Sequence, residues 1–194
     1  KKLRNIQKET EEIINSVGLT REQVLLEFGT GTGELAIEVA KQCSKVIAVD
    51  VSSTMLEYAK QKAEKQGIAN IEYFNAGFLT YEHCGDPLDV VVSQLALHHL
   101  PDFWKLVALK RVNSILRKGG KFYLRDTVYS FNVDNYTEYF NTWVDGIRQV
   151  AGDELAIDTE MAISDEFSTC DWIMEGLIKR AGFEIERLNY LEGF

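Results

Sequence analysis

Short apolar runs alternate along the chain with longer stretches whose apolar residues recur every three or four positions. Residues 6–17 set Ile6, Ile13, Ile14 and Val17 among charges, the stripe of an amphipathic helix, with Gly18 as its stop. VLLEF (24–28) is a short apolar run, interrupted by Glu27, and predicts a buried strand. ELAIEVAKQC (34–43) returns to helical spacing through Leu35, Ala36, Val39 and Ala40, and KVIAVD (45–50) is a second, β-branched run. SSTMLEYAKQKAEKQG (52–67) predicts a helix capped by Ser52 or Ser53 and stopped by Gly67. IEYF (71–74) and LDVVVS (88–93) predict strands. A helix from Pro101 to Leu116 follows, with Gly119-Gly120 after its end, and KFYLRD (121–126) closes the series. Strands alternating with helices imply right-handed crossovers and an α/β, doubly wound, mainly parallel sheet.

After Asp126 the pattern changes. Residues 127–164 are expected to form a helical, acceptor-side insertion, rich in acids and in aromatics such as Tyr129, Phe131, Tyr136, Tyr139, Phe140 and Trp143, with no clear strand. DWIMEGLIKRAGF (171–183) predicts a last helix and FEIERLNY (183–190) a last strand. No repeat or linker-like stretch divides the 194 residues, so one domain is expected: a helix in 1–18, a core in 24–126 and the insertion in 127–164.

Composition narrows the function. At 45% hydrophobic residues the chain can bury one substantial core, and it holds no apolar run near the roughly 20 residues that a membrane span needs. The charged opening KKLRNIQKETEEIINSVG resembles neither a signal peptide nor an anchor. A formal charge of −9 argues against a nucleic-acid surface, which needs clustered Lys and Arg, and suits a small neutral or cationic partner. Cys43, Cys84 and Cys170 are isolated and odd in number, which fits reduced thiols in the cytoplasm and no metal framework. No signature of an oligomeric state is present.

The chemistry starts at EFGTGTG, Glu27 to Gly33. A dinucleotide fingerprint needs G-x-G-x-x-G, but Glu34 stands where its third glycine belongs and would face a pyrophosphate. A P-loop would need Gly-Lys-Ser/Thr, which is absent. What remains is a ligand that approaches the backbone closely without phosphate. Asp50 ends the second strand, where a carboxylate can accept from both hydroxyls of a ribose. Glu27 suits a cationic group such as an amino-acid ammonium. Ribose, amino acid and close backbone contact together describe S-adenosylmethionine. The bland alternatives are a tight strand–helix turn for the glycines and a helix cap for Asp50.

At these residues the chain resembles the class I S-adenosylmethionine-dependent methyltransferases of the small-molecule, Rossmann-like type. VLLEFGTGTGELAIEVA is similar to the family's first motif and VIAVDVSSTMLEYAKQKA to its second. LDVVVSQLALHHLPD resembles the fourth-strand motif and LRKGGKFYLRD the fifth. The resemblance implies methyl transfer from S-adenosyl-L-methionine to a small-molecule acceptor, with S-adenosyl-L-homocysteine as product. Glu27 would help hold the methionine ammonium through water, and Gly29, Thr30, Gly31 and Gly33 would give backbone clearance. Asp50 with Val51 would hold the ribose, Ala76, Gly77 and Phe78 would surround the adenine, and Ser93 and Gln94 would end the fourth strand in the same crevice. Gly77 departs from the family, which usually places there an acid for the adenine amino group.

No catalytic residue is secured by the motifs. His98 and His99 are candidate general bases, with packing at the sheet edge as the alternative, and a base matters only if the acceptor is not already nucleophilic. Tyr129, Tyr136 and Trp143 are candidates for the acceptor pocket. The family's sheet ends in a two-strand hairpin, of which the chain offers only 183–190, so the seventh strand is expected beyond Phe194, with a shorter sheet as the alternative. An S-adenosylmethionine-binding sensor or non-catalytic subunit of the same fold is the rival reading, and a nicotinamide oxidoreductase is disfavoured by Glu34.

Overall fold

A computed structural model describes residues 5–190. Helix α1 (Ile6–Val17) begins where the Asn5 side chain accepts the amide of Lys8, and ends where Gly18, at φ 64°, donates its amide to the Ile14 carbonyl. Five strands follow: β1 (Val24–Phe28), β2 (Lys45–Asp50), β3 (Ile71–Asn75), β4 (Leu88–Gln94) and β5 (Leu116–Arg125). All pair in parallel, in the order β3-β2-β1-β4-β5. Helices α2 (Glu34–Ala40), α3 (Ser53–Lys65) and α4 (Asp102–Ile115) lie in the crossovers.

The apolar runs explain this sheet. Leu25, Val46, Ala48, Val90 and Val92 join Ile13 and Val17 of α1 and Leu35, Ala36 and Val39 of α2 in one buried cluster. The alternate positions Leu26, Ile47, Val49 and Val91 are buried as well. Successive strand side chains point to opposite faces, so burial of both sets means that both faces are covered, as in a doubly wound sheet.

The chain forms two compact units. One holds the residues up to Leu97 together with Val107–Asp126, and so contains the five-stranded sheet; the other holds His98–Leu106 and the chain from Thr127. The second unit is mainly helical, with α5 (Tyr136–Ala151), α6 (Asp153–Asp165) and α7 (Asp171–Arg180), plus a parallel pair of two-residue strands, β6 (Val128–Tyr129) and β7 (Thr169–Cys170). Arg148 of α5 meets Asp145 at 2.5 Å, Asp153 at 3.3 Å and Glu160 of α6 at 3.2 Å. A buried lysine anchors the segment after α6. Lys105 is 0% exposed and donates to Asp102 Oδ1 at 2.8 Å and to the Phe167 carbonyl, while Thr169 Oγ1 donates to Asp102 Oδ2 at 3.0 Å.

Several elements differ from the sequence pattern; among them the last helix ends at Arg180 rather than at 183, and β7 is not expected from it. Helix α2 ends at Ala40 rather than Cys43, because the Asn70 side chain donates to the carbonyls of Ala40, Cys43 and Ser44 at 2.8, 3.2 and 3.3 Å and so caps the chain early. Strand β5 starts at Leu116, not Lys121. Its ladder slips between Leu88–Leu116 and Val90–Lys121, and Gly119 at φ 76° sits in the bulge. β6 lies inside the insertion, too short for a period to show. The strand expected at 183–190 does not form. Alternation supplies a strand's faces but not a partner edge, and no ladder forms there among the described residues. The region beyond Tyr190, including the position of any seventh strand, lies outside the described residues.

The three cysteines are free thiols, Cys43 buried and Cys84 exposed. Burial pushes the Cys43 thiol above its ordinary range, more than its bond to the Lys45 carbonyl lowers it. Since the thiolate is the nucleophile, alkylation of the native protein at neutral pH should mark Cys84 first and Cys43 only on unfolding. Peptide mapping that finds Cys43 labelled as fast as Cys84 would contradict this burial.

Candidate functional site

Strand β1 has β2 on one side and β4 on the other, so successive crossovers leave it in opposite directions. A crevice opens at the carboxyl ends of strands at such a switch point, and the glycine loop is placed there. Gly29 N and Thr30 N both donate to the Val49 carbonyl, at 2.9 and 3.2 Å, folding the loop over the end of β2. Gly29, Gly31 and Gly33 adopt φ of 74°, 51° and 74°, the left-handed region that favours glycine.

The three glycines have different neighbours. A Cβ on Gly29 would stand 2.5 Å from Ala96 Cβ, and one on Gly33 2.8 Å from Ala59 Cβ. Those two serve packing, of the loop against the chain after β4 and of α2 against α3. A Cβ on Gly31 would meet nothing within 4 Å, so its face is open. The approach to Ala96 depends on Leu95, a non-glycine residue at φ 51° whose amide donates to the Arg125 carbonyl at 2.8 Å. Strained backbone of this kind gathers at functional sites.

Asp50 joins the loop to the next turn. Its Oδ2 accepts the Gly31 amide at 2.7 Å and its Oδ1 the Ser52 amide at 2.8 Å. The helix-cap role belongs to Ser52, whose Oγ accepts the Met55 amide at 3.3 Å. A carboxylate has about four lone-pair sites, so Asp50 keeps acceptor capacity while shaping the loop. Asn75, which the motifs passed over, holds this turn from β3: its Nδ2 donates to the carbonyls of Asp50 and Val51 at 3.1 and 2.8 Å. A polar residue at the carboxyl end of a strand was the signal for it. Val51 is 78% exposed beside Asp50.

Glu27 is only 4% exposed, and its Oε2 accepts a 2.7 Å bond from Thr30 Oγ1, itself buried. A buried carboxylate is costly unless paired, and the hydroxyl provides one partner. Ala76 N donates to the Asp50 carbonyl at 3.0 Å, continuing the β2–β3 ladder. The Gly77 amide donates to Thr80 Oγ1 at 2.9 Å and its carbonyl accepts from Thr80 N and Tyr81 N. Phe78 turns inward, stacked on Phe28 with centroids 4.5 Å apart, and Tyr81 packs edge-on at 5.8 Å from Phe28. Ser93 pairs in register with Phe28 and is fully buried, its hydroxyl without a partner, so it underlies the end of β4; Gln94, next in the chain, is half-buried.

The remaining candidates belong to the second unit. His98 is buried with Nε2 3.3 Å from Glu166 Oε2, and His99 is exposed with Nδ1 3.8 Å from Glu166 Oε1. Tyr129 packs with Phe131 and Phe140 at 5.8 and 5.3 Å, and Phe131 stacks on Tyr139 at 3.8 Å. Burial pushes the Tyr129 phenol above its ordinary range, opposed by its bond to Ser168 and aided by the Glu166 charge. Tyr136 stays exposed, and Trp143 buries its Nε1 without a partner. Of the three aromatic candidates, only Tyr129 enters the ring cluster.

A parallel sheet in the order 3-2-1-4-5, with a glycine loop and an acid at the carboxyl ends of its first two strands, defines a Rossmann-like protein of the methyltransferase type. The family described as a methyltransferase domain matches residues 25–120. A methyltransferase of Bacillus cereus, described as uncharacterized, is 30% identical over 86% of this chain and 73% of its own length. Another, from Anoxybacillus flavithermus, is 38% identical over 61% of this chain and 54% of its own length, so the chain matches about half of that relative. The crystal structure of a putative methyltransferase from Bacillus halodurans superposes with a TM-score of 0.72 at 21% identity, covering 93% of this chain and 71% of that one. The chain belongs to the class I methyltransferase family. No helix among the described residues is long and apolar enough to cross a membrane.

Proposed function

We propose that the protein transfers the methyl group of S-adenosyl-L-methionine to a small-molecule acceptor in the cytoplasm, releasing S-adenosyl-L-homocysteine. One observation carries the donor assignment: Asp50 grips the amides of Gly31 and Ser52 yet keeps lone pairs free, beside a glycine face on which nothing stands within 4 Å. Its spare acceptor sites would take the ribose hydroxyls. Glu27 would pair with the ammonium of the donor's amino-acid end, offsetting the cost of its own burial. Exposed Val51 and the backbone of Ala76–Gly77 would flank the base. Phe78, whose ring is committed to Phe28, would support that wall from within. The bound donor supplies an electrophilic methyl on a sulfonium sulfur, and the residues supply position and exclusion of water. For the acceptor, the cluster of Tyr129, Phe131, Tyr139 and Phe140 is the apolar surface of the second unit best suited to recognition, and the net charge of −9 favours neutral or cationic molecules over nucleic acid.

Binding only to the folded state stabilises it by RT ln(1 + [L]/Kd), about 2.7 kcal/mol at a hundredfold excess over Kd, or roughly 5–10 °C for a chain of this size. S-adenosyl-L-homocysteine should produce such a shift and NAD none. Incubation with labelled donor and a panel of metabolites then identifies the acceptor. No shift with either adenosyl ligand overturns the donor assignment; a shift without transfer to any acceptor favours the sensor reading.

Gly77 tests the adenine register. No positive φ constrains it, and a Cβ there would meet only Val51 Cγ1, at 2.9 Å on an exposed side chain that can turn away. Gly77→Asp should therefore tighten S-adenosyl-L-homocysteine binding or leave it unchanged. A large loss by calorimetry would move the adenine elsewhere.

A further inference from the structure

We infer that His98, His99 and Glu166 form a binding site for a divalent first-row transition metal ion. The sequence reading expects no metal, on its isolated cysteines, and the acid lies far along the chain from the histidine pair. Folding brings them together: each offers one ligand atom, and the three atoms lie within 4.8 Å of one another. The distances from each imidazole to the carboxylate are close to those of a metal site. Ligand atoms arranged tetrahedrally about 2.1 Å from a common centre stand roughly 3.4 Å apart. Here each imidazole meets a different oxygen of the one carboxylate, His98 Nε2 at 3.3 Å from Glu166 Oε2 and His99 Nδ1 at 3.8 Å from Oε1. The two rings meet at 62° with centroids 4.3 Å apart, so the imidazoles are angled rather than stacked flat.

The groups around these ligands fix their relative position, which is what makes a site and not a chance encounter of side chains. Phe167 N donates to the His98 carbonyl at 2.9 Å, directly tying the residue after Glu166 to the first histidine. Lys105 holds the Phe167 carbonyl from below, and Thr169 is tied to Asp102. His98 is buried, Glu166 partly so and His99 exposed, which gives the site a rigid inner side and an open outer one. Two imidazoles and one carboxylate favour zinc, nickel or cobalt over magnesium and calcium, which prefer oxygen ligands. Three protein ligands leave a coordination position for water or for an oxygen atom of a further ligand. The inference does not rest on the methyl-donor assignment, since all three residues belong to the second unit.

Calorimetric titration of the metal-stripped protein with Co2+, Ni2+ and Zn2+, and with Mg2+ as control, tests it. One equivalent of each transition metal should bind, with Co2+ giving visible ligand-field absorption, and Mg2+ should not compete. His99→Ala and Glu166→Gln change groups that are not fully buried, so circular dichroism should show both folded. Each should weaken binding at least tenfold and remove the Co2+ absorption. If the cluster is only an imidazolium–carboxylate pair, the native protein will bind no metal stoichiometrically. That result overturns the site, as does equal binding by the native protein and the two variants.

Discussion

Asp50→Ala is expected to lower affinity for S-adenosyl-L-homocysteine by 100-fold or more and to destabilise the protein as well. The carboxylate holds Gly31 N at 2.7 Å and Ser52 N at 2.8 Å, so its removal releases the open part of the glycine loop and the start of α3 together. Hydrogen bonds to a charged acceptor contribute about 1.5–3 kcal/mol each. Losing one ribose bond and part of the loop's preorganisation is therefore enough for about 2.7 kcal/mol, the equivalent of a hundredfold change in Kd. Asp50→Asn separates the parts of this effect. It retains one acceptor oxygen but points an amide N–H at a backbone amide that needs an acceptor, so it should lose about 10–100-fold in affinity. Calorimetry and urea denaturation on the same samples read both quantities. Donor-product binding by Asp50→Ala within threefold of the native value would remove Asp50 from the site.

Gly29→Ala and Gly31→Ala should fail in opposite ways although they lie two residues apart. At Gly29 a methyl would lie 2.5 Å from Ala96 Cβ, on a backbone with φ of 74°. Left-handed backbone costs a residue with a Cβ roughly 1–2 kcal/mol, and overpacking adds about 1–3 kcal/mol. The sum, about 2–5 kcal/mol, is a large part of the 5–15 kcal/mol that holds an ordinary domain folded, so Gly29→Ala should lower Tm sharply or accumulate unfolded. At Gly31 the methyl meets no protein atom within 4 Å, leaving only the backbone cost of roughly 1–2 kcal/mol. That variant should fold with a modestly lower Tm and lose most of its S-adenosyl-L-homocysteine affinity, because the methyl occupies the face open to the ligand. If Gly31→Ala binds normally while folded, the ligand does not approach the loop there.

Much of the first unit was legible because its signals are local. VLLEF, KVIAVD and LDVVVS hold consecutive apolar residues rather than a strict alternation, as a strand covered on both faces requires, and they appear as β1, β2 and β4. Gly18 and Ser52 act through bonds to residues three or four positions away, so short windows contain both partners. The order of Glu27, the glycines and Asp50 marked the carboxyl ends of two strands, and the parallel pairing of β1 with β2 brings them together. Asn70 was not legible, and Asn75 only through its place at the carboxyl end of a strand. Each acts on carbonyls 24 or more residues earlier in the chain, and a lone asparagine carries no periodic signal.

The sequence by itself determined the alternation of elements and the switch-point sheet, because spacing and residue type settle local geometry, and it set the expectation of a ligand without phosphate at the first loop. Only the tertiary structure decided how the glycines divide their work, with Ala96 behind Gly29, Ala59 behind Gly33 and open space at Gly31. Only it ended α2 early, left 183–190 without a ladder and set Glu166 against His98 and His99. The physical reason is common to all of these. A periodic pattern states which way a residue faces, while the identity of what it faces comes from a distant segment that folding brings into contact.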